Sequence, residues 1–479
     1  MSDYEPVVGL EIHVQLSTTT KMFCGCQLSF GDPPNIHTCP VCLALPGALP
    51  VINERAVHFA LIIGLALGCE ITERSLFHRK NYVYPDNPKA YQISQYDVPL
   101  CRGGGLEGVR IHRVHLEEDA AKLNHLSASG RIHGSDRSWV DFNRCGTPLV
   151  EIVTEPDLHS PVEARDWLIL LRATLKQLGV SDVNMQEGSL RCDANVSVRP
   201  AGSNELGTKS ELKNMNSFRF LERGLRAEIK RQTALVKAGE SVVQETMHFD
   251  PSTGGLTPLR SKEDAHDYRY FPEPDLVPLL ATEKMLAAAR ADLPVELPVQ
   301  RAERLEAELG LSADRAREFA FRAELGDYFE RAVEASSGNG ADATELANWI
   351  PELISRIESE DPAESRVTPE SLAALARMVK AREVSRDAAR EVLSSLVQEG
   401  GDPRAIVERE GLSALGADGG LSELVDAAIA SDPAAAEEVR AGNMKAIGPL
   451  VGYVRRESKG RADGGEVTRL IREKLGGKR

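Results

Sequence analysis

No stretch of this 479-residue chain is apolar over the length a bilayer demands, and its opening, MSDYEP, lacks the basic-then-apolar order of a secretion signal. Neither a membrane protein nor a secreted one is expected, and the cytoplasm is the expected location. Cysteine is sparse, with eight residues. In a reducing compartment these are thiols or metal ligands, since disulfides do not persist there. Positive charge is also short: the formal net charge is −15. That argues against a surface made to hold nucleic acid everywhere, but not against a local patch. Internal repeats and long low-complexity tracts are missing, which excludes a solenoid.

Two nucleotide signatures fail on inspection. Gly103-Gly104-Gly105-Leu106-Glu107-Gly108 has the spacing of a dinucleotide fingerprint. It runs into VRIHRVHL, a strand pattern, where the fingerprint needs a helix. Gly207-Thr208-Lys209-Ser210 ends like a P-loop but lacks the upstream glycine and the Gly-Lys step. Any ATP would be held by metal and carboxylate chemistry instead.

The chain is too long for one core, and about three domains are expected. Residues 1–290 alternate short strands (VVGLEIHVQL, GVRIHRVHLEE, PLVEIVTE, SLRCDANVSVRP) with helices such as PVEARDWLILLRATLKQLG. This favours an α+β domain with a largely antiparallel sheet and flanking helices. From DLPVELPVQ onward, residues 291–402 read as all-α. Thr368-Pro369-Glu370 is a helix start, with a hydroxyl cap, Pro at the first position and an early acid. Gly400-Gly401-Asp402-Pro403 turns into a small helical tail, residues 403–479. From Ala441 onward ten Lys/Arg oppose four Asp/Glu, a net +6 that leaves −21 on the preceding 440 residues. Lys445, Arg455, Arg456 and Lys459 are its candidate contacts with a polyanion.

Cys24 and Cys26, then Cys39 and Cys42 beyond a turn-rich loop, have the spacing of a four-thiolate zinc site. Such a site is structural, because no coordination position stays open. Cys69, Cys101, Cys145 and Cys192 lack this spacing and read as small buried hydrophobes.

Acids also fall on strands. In VVGLEIHVQL, Glu11 and His13 share one face and Leu10, Ile12 and Val14 the other. Glu151 sits within an apolar run, where an unpaired carboxylate is costly. In RVHLEED, alternation puts Glu118 with Val114 and Leu116 on the more apolar face; in RCDANVSVR, Asp193 lies opposite Cys192 and Ala194. If the polar faces line one cleft, Glu11, His13, Glu118, Glu151 and Asp193 form a hard-ligand site suited to Mg²⁺. The loop RKNYVYPDNPKAYQISQYDVP adds Arg79, Lys80 and Lys89 as candidate phosphate ligands and Tyr82, Tyr84 or Tyr91 as a stacking surface; GTKSELK adds Lys209 and Lys213.

GLEIHVQL, RKNYVYPDNPKAYQISQYD, HLEEDAAK, RCGTPLVEIVTEPD, GSLRCDANVSV, ELKNMNSF, DYRYFPEPDL and, near the end, GNMKAIGPLVG resemble the B subunit of the bacterial aspartyl/glutamyl-tRNA amidotransferase. The resemblance implies a cradle domain related to glutamine synthetase, then a helical domain and a tail that touches tRNA. It implies a reaction as well. The side-chain carboxylate of misacylated Asp-tRNA(Asn) or Glu-tRNA(Gln) is phosphorylated by ATP, and ammonia displaces the phosphate. The glutaminase (A) subunit makes that ammonia from glutamine, and a small C subunit completes a heterotrimer. By the family pattern His13, Glu118 and Glu151 match metal ligands, with Glu11 and Asp193 in the same shell. Lys80, Lys89 and Arg191 then face phosphate or substrate carboxylate. The sequence shows no glutaminase signature of its own.

The chain departs from its relatives at Asp463-Gly464-Gly465, where Asn-Pro is usual, so a looser start of the last helix is expected. Two other classes compete: a non-catalytic, zinc-containing tRNA scaffold, and a free-standing enzyme making a small amide. Converging carboxylates argue against the first, and the basic tail against the second.

Overall fold

The computed structural model describes residues 3–476 apart from 127–134, 214, 259–267, 337–339, 360, 416–419 and 459. The chain divides into two compact units, residues 1–298 and 299–479. The first is a mixed α+β unit and the second is helical.

The first unit is built on a ten-stranded sheet. Its centre holds four long strands: β1 (Tyr4–Gln15), β2 (Val109–Glu118), β3 (Pro148–Thr154) and β4 (Leu190–Pro200). Their spatial order is β4-β1-β3-β2. Outside β4 come Ser210–Lys213, Thr246–Phe249 and Leu256–Pro258, and outside β2 come Cys101–Arg102 and Glu70–Ile71. Pairing among these described strands is antiparallel except between Ser210–Lys213 and Thr246–Phe249.

Alternation decides which face is buried. Leu10, Ile12 and Val14 of β1, Val150 and Ile152 of β3, and Cys192, Ala194 and Val196 of β4 are all buried. In β2 the alternation changes phase. Thr154 pairs with Ile111 while Val153 pairs with Arg113, so His112 is an extra residue, a β-bulge. The bulge lets Ile111 and Val114, three residues apart, both turn to the core. The helix Glu54–Ala66 packs on β2 and the helix Phe218–Lys237 on β4, with Pro161–Gln177 beside the latter. Each starts on a side-chain cap, from Asn53, Ser217 and Ser160 respectively.

The second unit holds two apolar cores. One spans Ala302 to Leu412 and is centred on Trp349, Tyr328 and the stacked rings of Phe319 and Phe329. The other spans Leu421 to Leu475. Thr368 caps the helix Pro369–Lys380 through the Ser371 N–H. The last helix, Gly464–Lys474, starts in order without proline, because Asp463 accepts the Glu466 N–H at 2.8 Å. Tyr328 Oη, fully buried, donates to the Val367 carbonyl at 2.8 Å. Tyr328→Phe leaves that carbonyl without this donor. It is expected to cost about 1–3 kcal/mol, read as a lower urea midpoint for the helical unit.

Candidate functional site

Strand register assembles the site. Arg191, His13, Glu151 and His115 stand side by side across β4, β1, β3 and β2. The next row is Asp193, Glu11, Val153 and Arg113. On the other side lie Gln15, Leu149 and Glu117. Neighbouring strands are about 4.8 Å apart, so polar side chains in adjacent rows converge.

They do so closely. His13 Nε2 lies 3.4 Å from Glu151 and 3.7 Å from Glu117. His115 Nε2 lies 3.5 Å from Glu151 and 3.8 Å from Glu117. Arg113 reaches Glu151 at 3.5 Å. Burial opposes charge on His13, but the Glu151 and Glu117 carboxylates outweigh it and lift its pKa to about 9. Burial likewise opposes ionisation of Glu151 and Glu117. The imidazoles of His115 and His13 reverse this, aided by Lys80, and both acids lie below the usual carboxylate range. Glu11 moves the other way, raised first by burial and then by the charge of Glu151. Two of the acids, Glu151 and Glu117, thus favour the protonated form of His13.

A metal ion could take that role. One ligand atom each from Glu11, His13 and Glu151 lies within 4.8 Å of the others, as does one each from His115, Glu117 and Glu151. Ligands of six-coordinate Mg²⁺ stand about 3 Å apart when adjacent and about 4.2 Å when opposite, given bonds of about 2.1 Å. The donor set, carboxylates with one imidazole, therefore fits a hard divalent cation.

Several predicted residues join this patch. Asp193 pairs with Glu11 across the strands and faces Lys213 at 3.8 Å. Arg191 is anchored by Asp119 at 2.8 Å, and Asp119 also accepts from Gln15 at 2.7 Å. Lys80 has its ammonium 4.9 Å from the centre of the Tyr268 ring. Burial opposes the charge of Lys80, yet Glu117, Tyr270 and Glu151 hold it protonated above the ordinary lysine range. Tyr82 meets the edge of Tyr268, and burial raises its phenol.

Others do not join. Glu118 is expected beside His13 and Glu151; the structure turns it to the opposite face, with Val114 and Leu116. There it pairs with Lys89 and accepts the Ile93 N–H at 3.0 Å. Glu117 occupies the place expected for Glu118, and Lys89 goes with Glu118. Lys209 is exposed and lines a cavity of about 310 Å³ with Gly9, Asn195 and Ser197, beyond the Glu11 end of the patch. His115 and Arg113, which contact Glu151, and Asp119, which contacts Arg191, are neighbours that the sequence pattern does not single out. The parity of Val114 and Leu116 was the available signal for His115 and Glu117.

The four cysteines do assemble. The Sγ atoms of Cys24, Cys26, Cys39 and Cys42 all lie within 4.8 Å of one another. Tetrahedral zinc with Zn–S bonds of about 2.3 Å needs sulfurs about 3.8 Å apart, so the set fits. A hydrogen bond from Cys24 lowers the Cys42 thiol to about 4, helped by the Cys39 N–H and by Lys21. By contrast, burial lifts Cys69 and Cys145 to about 12. In the second unit Lys445, Arg455 and Arg456 are exposed, and Arg455 pairs with Asp387. Lys459 lies outside the described residues.

Fold and site define a mixed α+β protein with a helical C-terminal region, carrying a strand-borne acidic cluster and a separate cysteine cluster. Residues 6–287 match the family model described as GatB/GatE catalytic domain, and residues 327–475 match the GatB domain. The B subunit of the aspartyl/glutamyl-tRNA(Asn/Gln) amidotransferase of Anaeromyxobacter dehalogenans (strain 2CP-1) is 48% identical over 488 aligned positions, covering 99% of each chain. Its namesake in Brevibacillus brevis is 46% identical, again over 99% of both. That of Persephonella marina is 44% identical over 99% of this chain and 100% of the relative. The chain belongs to the B-subunit family of the aspartyl/glutamyl-tRNA(Asn/Gln) amidotransferases.

Proposed function

We propose that this chain carries the ATP-dependent activation step of a tRNA amidotransferase that acts on Asp-tRNA(Asn), Glu-tRNA(Gln) or both. The carrying observation is the convergence of Glu11, His13, Glu117 and Glu151 on one sheet face. A passive RNA scaffold has no use for buried acids facing one another, since their repulsion must be offset by a cation.

A carboxylate is a poor acyl donor. Joining its oxygen to the γ-phosphorus of ATP, with departure of ADP, converts it to an acyl phosphate. Ammonia then attacks the acyl carbon, and inorganic phosphate leaves with the bonding pair. A Mg²⁺ ion held by Glu11, His13 and Glu151 would neutralise phosphate charge during the first transfer. The chain's own side chains do the remainder. Lys80, kept protonated by Glu117 and Glu151, serves as a fixed cation for phosphate and not as a base. Arg191, held in place by Asp119, is aimed to orient a carboxylate or phosphate oxygen. Tyr82 and Tyr268 meet edge to face beside Lys80.

In this reading the first unit is the cradle, with a glutamine synthetase-like sheet. Residues 291–402 form the helical domain and 403–479 the tRNA-binding tail, where Lys445, Arg455 and Arg456 meet the backbone. A partner glutaminase chain supplies ammonia, and a small third chain completes the heterotrimer in the cytoplasm. The test is ammonium-supported amidation. The complex purified with its partners, given Glu-tRNA(Gln) or Asp-tRNA(Asn), ATP, Mg²⁺ and ammonium chloride without glutamine, is expected to form the amide. Amide formation that proceeds equally well without ATP would refute the assignment.

A further inference from the structure

Lys21 is 1% exposed, although it carries a charge that water would otherwise stabilise. Its ammonium has three N–H groups, and three acceptors surround it. The His37 carbonyl lies at 2.8 Å, the Phe142 carbonyl at 3.0 Å and Cys42 Sγ at 3.6 Å. Two of these acceptors belong to the cysteine loop. The third opens the turn that leads into β3, the strand bearing Glu151.

That turn is fitted to the cysteine loop. Met22 N–H donates to the Gly146 carbonyl at 2.7 Å. Gly146 has φ +85, and a β-carbon there would stand 3.4 Å from Lys21 Cδ and 3.8 Å from Cys42 Cβ. From the turn, contacts run to the acidic patch. Gly146 N–H donates to the Asp119 carbonyl and Asp119 N–H to the Thr147 carbonyl, both at 2.8 Å. Arg144 spans to the Ala120 and Ala121 carbonyls at 3.0 and 2.8 Å. The Asp119 carboxylate then holds Arg191 and Gln15.

We propose that Lys21 is a positioning residue that fastens the cysteine metal centre to the turn carrying β3, so that the metal sets the order of the Asp119–Arg191–Glu151 region. This rests on the reading of Cys24, Cys26, Cys39 and Cys42 as a zinc site. Zinc with four thiolates carries two net negative charges, and the Lys21 ammonium is their buried counter-charge at hydrogen-bond distance. The cation needs the cluster as much as the cluster needs the cation, and the backbone between them is held from both sides.

The test uses the full chain in its complex, with zinc measured by elemental analysis. Lys21→Met keeps most of the side-chain length without the charge, and Lys21→Arg restores a charge. Lys21→Met is expected to yield zinc to a chromogenic chelator about 10- to 100-fold more readily, as removal of an outer-shell partner does elsewhere, and Lys21→Arg to recover part of the loss. Hydrogen exchange should rise over residues 142–151 in Lys21→Met even with zinc bound. Should Lys21→Met fail to fold, wild type serves: stripping its zinc is expected to raise exchange over 142–151 along with 21–42, and not over 302–412. Zinc retention equal to wild type in Lys21→Met, or a 142–151 segment indifferent to zinc removal, overturns the proposal. A protein that neither contains nor takes up zinc overturns it by refuting the metal reading, while leaving the ammonium-supported reaction to be judged by its own assay.

Discussion

Glu151→Gln is expected to cut ammonium-supported amide formation by at least about a hundredfold. A cation's neutralisation of phosphate charge is worth several kcal/mol, and each 1.36 kcal/mol is tenfold in rate. Glu151 is the shared member of both possible ligand groups, Glu11–His13–Glu151 and His115–Glu117–Glu151. It is also the carboxylate that His13, His115 and Arg113 all approach. Glutamine keeps the volume and one acceptor oxygen but removes the charge, so the sheet should survive while the cation site does not. Affinity for tRNA, carried in this reading by the tail, should be unchanged in a filter-binding assay. Raised Mg²⁺ should restore part of the rate if lost metal affinity is the cause. Undiminished activity in Glu151→Gln would move the chemistry away from this face and favour the scaffold class.

Much of this site is legible in the residue pattern alone, and the reason is physical. A strand has a period of two, so VVGLEIHVQL commits Glu11 and His13 to one face as soon as Leu10 and Ile12 are committed to the other. The cysteine cluster is legible because two close pairs across a short loop leave few alternatives. The helix starts at Thr368 and Ser385 carry their own capping groups. What is not legible depends on register between distant segments. Arg191 and Asp119 are 72 residues apart, and nothing local in either one names its partner. Lys21 sits in TTTKMF without periodic context, and its burial follows only from where Phe142 and His37 end up. The His112 bulge is a further case. It reverses the phase of β2 midway, so alternation counted from Val109 misleads, while alternation counted from Val114 and Leu116 holds. By that second count Glu118 belongs with the apolar residues. The resemblance to the family draws it into the metal set nonetheless.

The adjacent acids Glu117 and Glu118 therefore separate cleanly in experiment. Glu117→Gln should act on chemistry. Glu117 faces His13 and His115 and supports the charge on Lys80, so its loss should raise the Mg²⁺ concentration required for half-maximal activity and lower the rate at saturation. Global stability should fall as well, because against burial and the charge of Glu151 the neighbouring His115, Lys80 and His13 still hold the Glu117 carboxylate below its usual range, a net attraction that the variant loses; the Mg²⁺ dependence is what marks it out. Glu118→Gln should act on stability. Its partner Lys89 has a side chain only 8% exposed, and the variant leaves that ammonium buried without a counter-charge. Breaking such a pair from one side costs about 3–5 kcal/mol, since the remaining charge cannot reach water. The urea midpoint of the sheet unit should fall accordingly, while the Mg²⁺ dependence of the surviving folded enzyme stays close to wild type. Replacing both partners, as Lys89→Met with Glu118→Leu, should recover much of the lost stability, because two apolar groups of similar size ask nothing of solvent. If instead Glu118→Gln shifts the Mg²⁺ requirement and Glu117→Gln does not, the strand must present Glu118 to the cation during turnover, and the phase of β2 beyond the His112 bulge would have to change to allow it.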